Sequence, residues 1–349
     1  MSATLVRAKY GKDLVKVVKV SKIATDPAAP HLRKTAIVEM TCRVLLNGPK
    51  LESSYTQADN SLVVPTDTGK RLNLYFIKNT CYVLAKRNPG TLESSELFAH
   101  QIIHHFLSKY SHLEGVEVII KSHNWTRVQV TTLEPVNQAG TTGTGVGKDG
   151  SIPAQKYEHP HSYFRAGDEK RTVHMVASRA AGGNVTYTTV SGLVDLLILK
   201  TTGSSFEGYH LDELTTLQPA ADRLFSTNVD VSWNFASVTE PLNTTTSKFV
   251  KLPFDKIFNG VRQILIDLFA NHDSPSVQNT LWRICADVIA KFAEVEEVSM
   301  ALPNKHYIGY DLGRFGLKNT GADQQIFFPQ ADPSGYITAT VGRKGSARL

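Results

Sequence analysis

The sequence predicts an α+β protein built from two related halves, each an antiparallel sheet with helices packed on one face. Three observations carry this. Segments rich in branched residues, 14–20 and 36–47 with its "AIVEMTCRVLL", read as a hairpin. Apolar residues then return at helical spacing in three places, once in the first half and twice in the second. Finally, the order of strands, helix and strands recurs, with local echoes between "LVVPTDTG" (62–69) and "LLILKTTG" (196–203), and between "KSHNW" and "LPNKHY".

Taken in order, the first helix is expected over 97–110, where Leu97, Phe98, Ile102, Phe106 and Tyr110 share a face, and 116–130 follows as paired strand. The second half opens with strands at 171–177 and 192–203. Phe254, Ile257, Phe258, Val261, Ile264, Leu265 and Leu268 form a second helical stripe, with Asn271 as its stop. Another helix begins with Asp273 or Ser274 as cap and Pro275 in its first turn, and a strand starts near Pro303. Residues 1–150 therefore form the first domain and 151–349 the second. The glycine- and threonine-rich stretch 134–156 is an exposed insert at the junction.

Size and composition narrow the function. A chain of 349 residues with 41% hydrophobic and 20% charged residues folds without staples. Cys42, Cys81 and Cys285 are distant and odd in number, which argues against a disulfide framework or a zinc knuckle and for a reducing compartment. No apolar run approaches the roughly 20 residues of a membrane span, and the N-terminus lacks the apolar core of a secretory signal. The net charge of +6 is diffuse. It suits an anionic substrate better than nucleic acid, and the lysines of 9–22 interleave with valines as on a solvated strand.

Standard catalytic signatures fail. Gly143, Gly145 and Gly147 precede Lys148, but Thr142 and Asp149 break the phosphate-loop pattern. His104 and His105 lack an HExxH frame, and His159 and His161 in "HPHSY" have a metal-compatible spacing without a third ligand. No GxSxG elbow or GxGxxG turn is present. What remains are polar residues at strand ends: Lys12 in "YGKD", Thr66 and Asp67 in "VPTDTG", and His306 in "PNKHY". A desolvated amine, a hydroxyl and an imidazole together make a proton relay if they meet. Taken singly, each reads as a surface lysine, a turn threonine or a capped histidine.

"YGKD", "YTQADNSLVVPTDT", "NWTRV", "HPHSYFR", "LTTL", "ADRL", "SVQNTLW" and "LPNKHY" occur in the order found in urate oxidases, and from Lys9 onward the chain resembles that family. It departs from the compact pattern around 69–76 and at 134–156. The resemblance implies two tandem T-fold domains in an oligomer enclosing a tunnel. It also implies oxidation of urate by O2 and water to 5-hydroxyisourate and hydrogen peroxide, with no cofactor and no metal. Carried over, Arg223 and Gln278 clamp the purine, Phe206 stacks on it, the Val277 N–H donates to it, and Leu217 and Ile337 close the pocket. Asn304 and Thr66 hold oxygen or water above the ring, and Lys12, Thr66 and His306 form the relay. Asp67, grouped with the substrate-binding residues, shapes the turn beside Thr66.

The resemblance further implies a homotetramer, with Lys12 and Thr66 supplied across a subunit boundary. Ala347, Arg348 and Leu349 resemble the small-basic-leucine ending read by the peroxisomal import receptor, which places the protein in the peroxisome. Competing readings are a pterin- or other purine-acting T-fold enzyme, which needs a glutamate where Gln278 stands, and a non-catalytic purine-binding scaffold.

Overall fold

The computed structural model describes residues 3–23, 34–59, 61, 63, 76–88, 94–132, 155–216, 218–244, 247–331 and 335–343. The first half runs β1 (Tyr10–Lys22), β2 (Thr35–Asn47), a short α1 (Glu52–Thr56), α2 (Phe76–Arg87), α3 (Ser95–Lys109), β3 (Gly115–His123), a hairpin of β4 (Thr126–Thr132) and β5 (Gln155–Phe164), and β6 (Lys170–Arg179). The second runs β7 (Asn184–Lys200), β8 (Phe225–Phe235), β9 (Val238–Pro241), α4 (Phe254–Asn271), α5 (Val277–Lys291), β10 (Val295–Lys305), a small pair of β11 (Tyr307–Gly309) and β12 (Phe327–Pro329), and β13 (Gly335–Gly342). One antiparallel sheet joins the halves in the order β1-β2-β3-β6-β7-β8-β10-β13, with β9 added beside β7.

Strand alternation builds the core. Met40, Cys42, Val44 and Leu46 on β2 point the same way as Val116, Val118 and Ile120 on β3, and all are fully buried. Phe98, Ile102 and Phe106 of α3 close over them. In the second half Val229, Val231 and Trp233 of β8 and Val298 and Met300 of β10 meet Ile257, Val261 and Leu265 of α4 and Leu281, Ile284 and Val288 of α5. Burial pushes the pKa of His100 on α3 down to about 4, so it packs uncharged against Tyr187 and Phe249. On the opposite sheet face, Val18, Val20, Leu197 and Leu199 are exposed. No helix of the described residues is long and apolar enough to cross a membrane.

The repeat extends to a backbone irregularity. Each half's first strand carries a bulge, between Lys12 and Val15 on β1 and between Leu193 and Leu196 on β7. Each bulge holds a non-glycine residue in the left-handed region, Leu14 at φ 55° and Asp195 at φ 62°. "KSHNW" and "LPNKHY" lie at the ends of β3 and β10, the strand that follows the second long helix in each half.

Several expectations are corrected. Segment 171–177 lies in β6, which pairs with β3 and completes the first unit instead of opening the second. Segment 116–130 is two strands that do not pair with each other, because β4 turns away to β5. The cap of α5 is Ser276, so Pro275 precedes the helix. The strand expected near Pro303 begins eight residues earlier, at Val295. The junction at 150/151 and most of the 134–156 insert fall outside the described residues.

Candidate purine-binding site

Lys200 ends β7 and Phe225 starts β8; the loop between them carries Phe206 and Arg223. Two bridges shape it. Phe206 and Ala220 exchange backbone hydrogen bonds of 2.8 and 3.0 Å, and the Arg223 N–H donates to the Ser204 carbonyl at 2.8 Å. Asp222 locks the loop's base by accepting from the Gly203 N–H at 2.9 Å and the Ser204 N–H at 3.3 Å, and from the Thr202 hydroxyl. The Thr202 hydroxyl, with these amides, holds the Asp222 carboxyl below its ordinary range.

The loop is tied to the start of α5. Ser205 N–H donates to the Ser274 carbonyl, and Ser274 N–H to the Gly203 carbonyl, both at 2.9 Å. Ser274 Oγ in turn bonds Thr280 Oγ1 at 2.7 Å inside the helix's first turn. Ser276 caps α5 by accepting from the Asn279 N–H at 3.1 Å, and its carbonyl accepts from the Thr280 N–H. The amides of Val277 and Gln278, the first two residues of the helix, have no acceptor among the described residues. Such amides attract an electron-rich or anionic group.

Arg223 completes this half-site. Its Cζ lies 4.8 Å from the centroid of the Phe206 ring, and its buried Nε has no hydrogen-bond partner. It forms no ion pair with a carboxylate among the described residues, and desolvation lowers its pKa. A desolvated guanidinium beside an aromatic face and two unspent amides suits a flat anion.

The end of β10 supplies the second group. Asn304 pairs with Thr227 of β8 and Gly335 of β13, so the strand's last residues lie alongside the start of β8, just beyond Arg223. His306 follows directly, and its carbonyl accepts from the Gln330 N–H at 2.9 Å. Both side chains border Gly335: a Cβ there would lie 3.4 Å from His306 Nε2 and 3.5 Å from Asn304 Cβ. Ile337, opposite Leu302, is half-buried against the core. Lys305 turns the other way and lines a separate charged hollow with Asp195 and Arg262.

A family model described as Uricase matches residues 8–176 and 189–338. The chain belongs to the uricase family. Curated uricases of Schizosaccharomyces pombe and Cyberlindnera jadinii are 37% and 38% identical to it, over 96% of both chains and 100% of both chains respectively. The crystal structure of uricase from Arthrobacter globiformis superposes with a TM-score of 0.76 at 27% identity, covering 100% of this chain and 98% of that one. The tandem T-fold expected from the uricase resemblance is thus the fold present.

Of the residues expected from the resemblance, Phe206 and Arg223 lie on a loop bonded to the start of α5, where Val277 and Gln278 stand, and Asn304 and His306 border Gly335 on the strand that carries Ile337. Lys12 is elsewhere: it sits on β1 opposite Val44, and six strand steps separate β1 from β10 in the sheet order. At about 4.8 Å per step this is of order 30 Å across the sheet. Thr66, Asp67, Leu217 and the terminal Ala347, Arg348 and Leu349 fall outside the described residues. Sequence reasoning missed Tyr209, whose ring stacks on Phe206 at 4.6 Å and 18°. It also missed Asp222, although "ADRL" places it directly before Arg223. Among the described residues no three His, Cys, Asp or Glu side chains converge as a metal site.

Proposed function

We propose that the chain is a urate oxidase. One observation carries the reading: Arg223, buried at Nε and without a carboxylate, stands beside the Phe206 ring at the open start of α5. A urate anion laid against Phe206 receives two parallel hydrogen bonds from the guanidinium on one edge. The Gln278 amide, which both donates and accepts, reads the other edge, with the Val277 N–H as a further donor. Leu217 and Ile337 close the sides.

Urate gives up two electrons and gains a hydroxyl from water, while O2 takes the electrons and two protons and leaves as hydrogen peroxide. The product is 5-hydroxyisourate, and the sum urate + O2 + H2O balances it. Urate is electron-rich enough to reduce oxygen without a cofactor once deprotonated and held, so the protein's work is orientation and proton movement. Asn304 and Thr66 hold oxygen, then water, over the ring. His306, Thr66 and Lys12 pass the protons, and Asp67 shapes the Thr66 turn.

Lys12 lies too far from His306 to act within its own chain, so the relay's lysine and threonine come from a neighbouring copy. The family resemblance makes that assembly a homotetramer enclosing a tunnel, and the exposed apolar pairs Val18/Val20 on β1 and Leu197/Leu199 on β7 are the kind of surface such an assembly covers. The "ARL" ending addresses the protein to the peroxisome through the import receptor, where peroxide is removed. The test is purified protein with urate and oxygen, following urate loss and peroxide together, with and without a chelator. Stoichiometric turnover indifferent to chelator is expected. Absence of turnover overturns the function, and chelator sensitivity overturns the cofactor-free course.

A further inference from the structure

The internal repeat can be followed residue by residue from the second long helix of each half to the strands behind it. Ser94 and Ser276 cap α3 and α5, and an equal count of residues leads to the last bond of each helix: Tyr110 N–H donates to the Phe106 carbonyl and Phe292 N–H to the Val288 carbonyl, both at 3.0 Å. At that spacing Val118, Ile120 and Ser122 of β3 correspond to Met300, Leu302 and Asn304 of β10. The neighbouring strands keep step. Val118, Ile120 and Ser122 pair with Met175, Val173 and Arg171 of β6, and Met300, Leu302 and Asn304 pair with Ala339, Ile337 and Gly335 of β13. Gly335 therefore stands where the first half has Arg171.

That exchange decides what faces each helix start. Val173 and Met175 are buried in the helix-covered core, so Arg171 leaves β6 on the same face and pairs with Glu96, the second residue of α3. Its Cζ also lies 4.8 Å from the Phe258 ring centroid. On β13 Ile337 packs against the core likewise, so a side chain at 335 would leave the strand on the face of Gln278, the second residue of α5. Glycine provides none. The backbone does not demand it: Gly335 is not among the positive-φ glycines, and a Cβ there would meet His306 Nε2 at 3.4 Å and Asn304 Cβ at 3.5 Å, ordinary contact distances. A strand glycine without a conformational need marks a place that a ligand or another backbone approaches closely.

We propose that Gly335 is a specificity-determining residue, which keeps the purine site open by leaving empty the space that a side chain fills at Arg171. The proposal rests on the urate oxidase reading and extends it to a position that acts by leaving room beside Asn304 and His306. The two halves then differ by a pair of linked exchanges, Arg171 against Gly335 and Glu96 against Gln278. Together the first members make an internal ion pair; together the second leave a neutral amide and a space for a flat anion.

Calorimetric titration of the full chain with urate, kept anaerobic so that nothing turns over, reads that space. Gly335→Ala, Gly335→Leu and Gly335→Arg are expected to weaken binding in order of size, the last by roughly a hundredfold or more. Gly335→Ala is expected to keep or raise the melting temperature, since the backbone there accepts a Cβ, so its loss of binding is not unfolding. Gly335→Arg alone is expected to lower the melting temperature by adding a charge without a carboxylate. Gly335→Arg/Gln278→Glu rebuilds the ion pair of the first half, and is expected to be more stable than the sum of its single changes. Urate binding indifferent to the size of the residue at 335, or a double variant that is merely additive, overturns the proposal. A parent that binds no urate overturns the urate reading instead, because the stability cycle needs no ligand.

Discussion

α3 and α5 begin alike. Ser94 and Ser276 cap them in extended conformations (φ −159° and −166°), accepting from Leu97 N–H at 3.4 Å and from Asn279 N–H at 3.1 Å. They diverge at the second helical residue. Glu96 is fully buried, paired with Arg171, and bonded by Ser94 Oγ at 2.8 Å and Ser191 Oγ at 2.6 Å. Gln278, in the same position, is exposed. Ser95 and Ser122 further tie the α3 start to the end of β3 at 2.7 Å, whereas the first residue of α5 is Val277, whose side chain has no polar group to make such a tie. The same scaffold thus closes one helix start with an internal ion pair and leaves the other without one, with an arginine present in both halves.

If the comparison holds, the largest effect is on stability in the first half. Glu96→Ala takes from Arg171 its buried carboxylate, leaving only the more exposed Asp255, and from Ser94 and Ser191 their acceptor, and is expected to cost about 3–5 kcal/mol in denaturant titrations. In the second half the large effect is on turnover. His306→Ala lowers the rate of urate loss roughly 10²–10⁴-fold while urate binding is nearly kept, as removal of a proton carrier does. Arg223→Ala comes next, with an expected weakening of urate binding by about 10²-fold, or ~2.7 kcal/mol, and an unchanged or raised melting temperature, because a half-buried charge without a carboxylate partner and with an orphaned Nε is removed. A fall in melting temperature like that of Glu96→Ala would show Arg223 to be structural. The caps are the smallest and most discriminating case: Ser94→Ala and Ser276→Ala each cost about 1 kcal/mol, but only the second weakens urate binding.

Legibility followed the range of the interactions. α4 shows every turn of its stripe, and its stop at Asn271 could be read directly. α2 could not, because its single buried face, Ile77, Thr80, Cys81 and Ala85, includes a threonine and is interrupted by no strong apolar run. The early part of β10 was hidden by Glu296 and Glu297, which sit on its half-exposed side. At the site, each motif was visible in the sequence, but what joins them was not. Ser204–Ser274 and Asn304–Thr227 are pairings between residues some seventy apart, and they decide that Arg223 meets the start of α5. Burial without a counter-charge, the property that singles out Arg223 from Arg171, has no signature in local sequence.

A relay shared between neighbouring chains, as proposed for Lys12 and His306, has a genetic consequence. Chains bearing Lys12→Met and chains bearing His306→Ala are each expected to be inactive alone. When the two are unfolded together and reassembled, some sites draw an intact lysine from one parent and an intact histidine from the other. Activity should return in the mixture, and two defective alleles would complement each other within one particle.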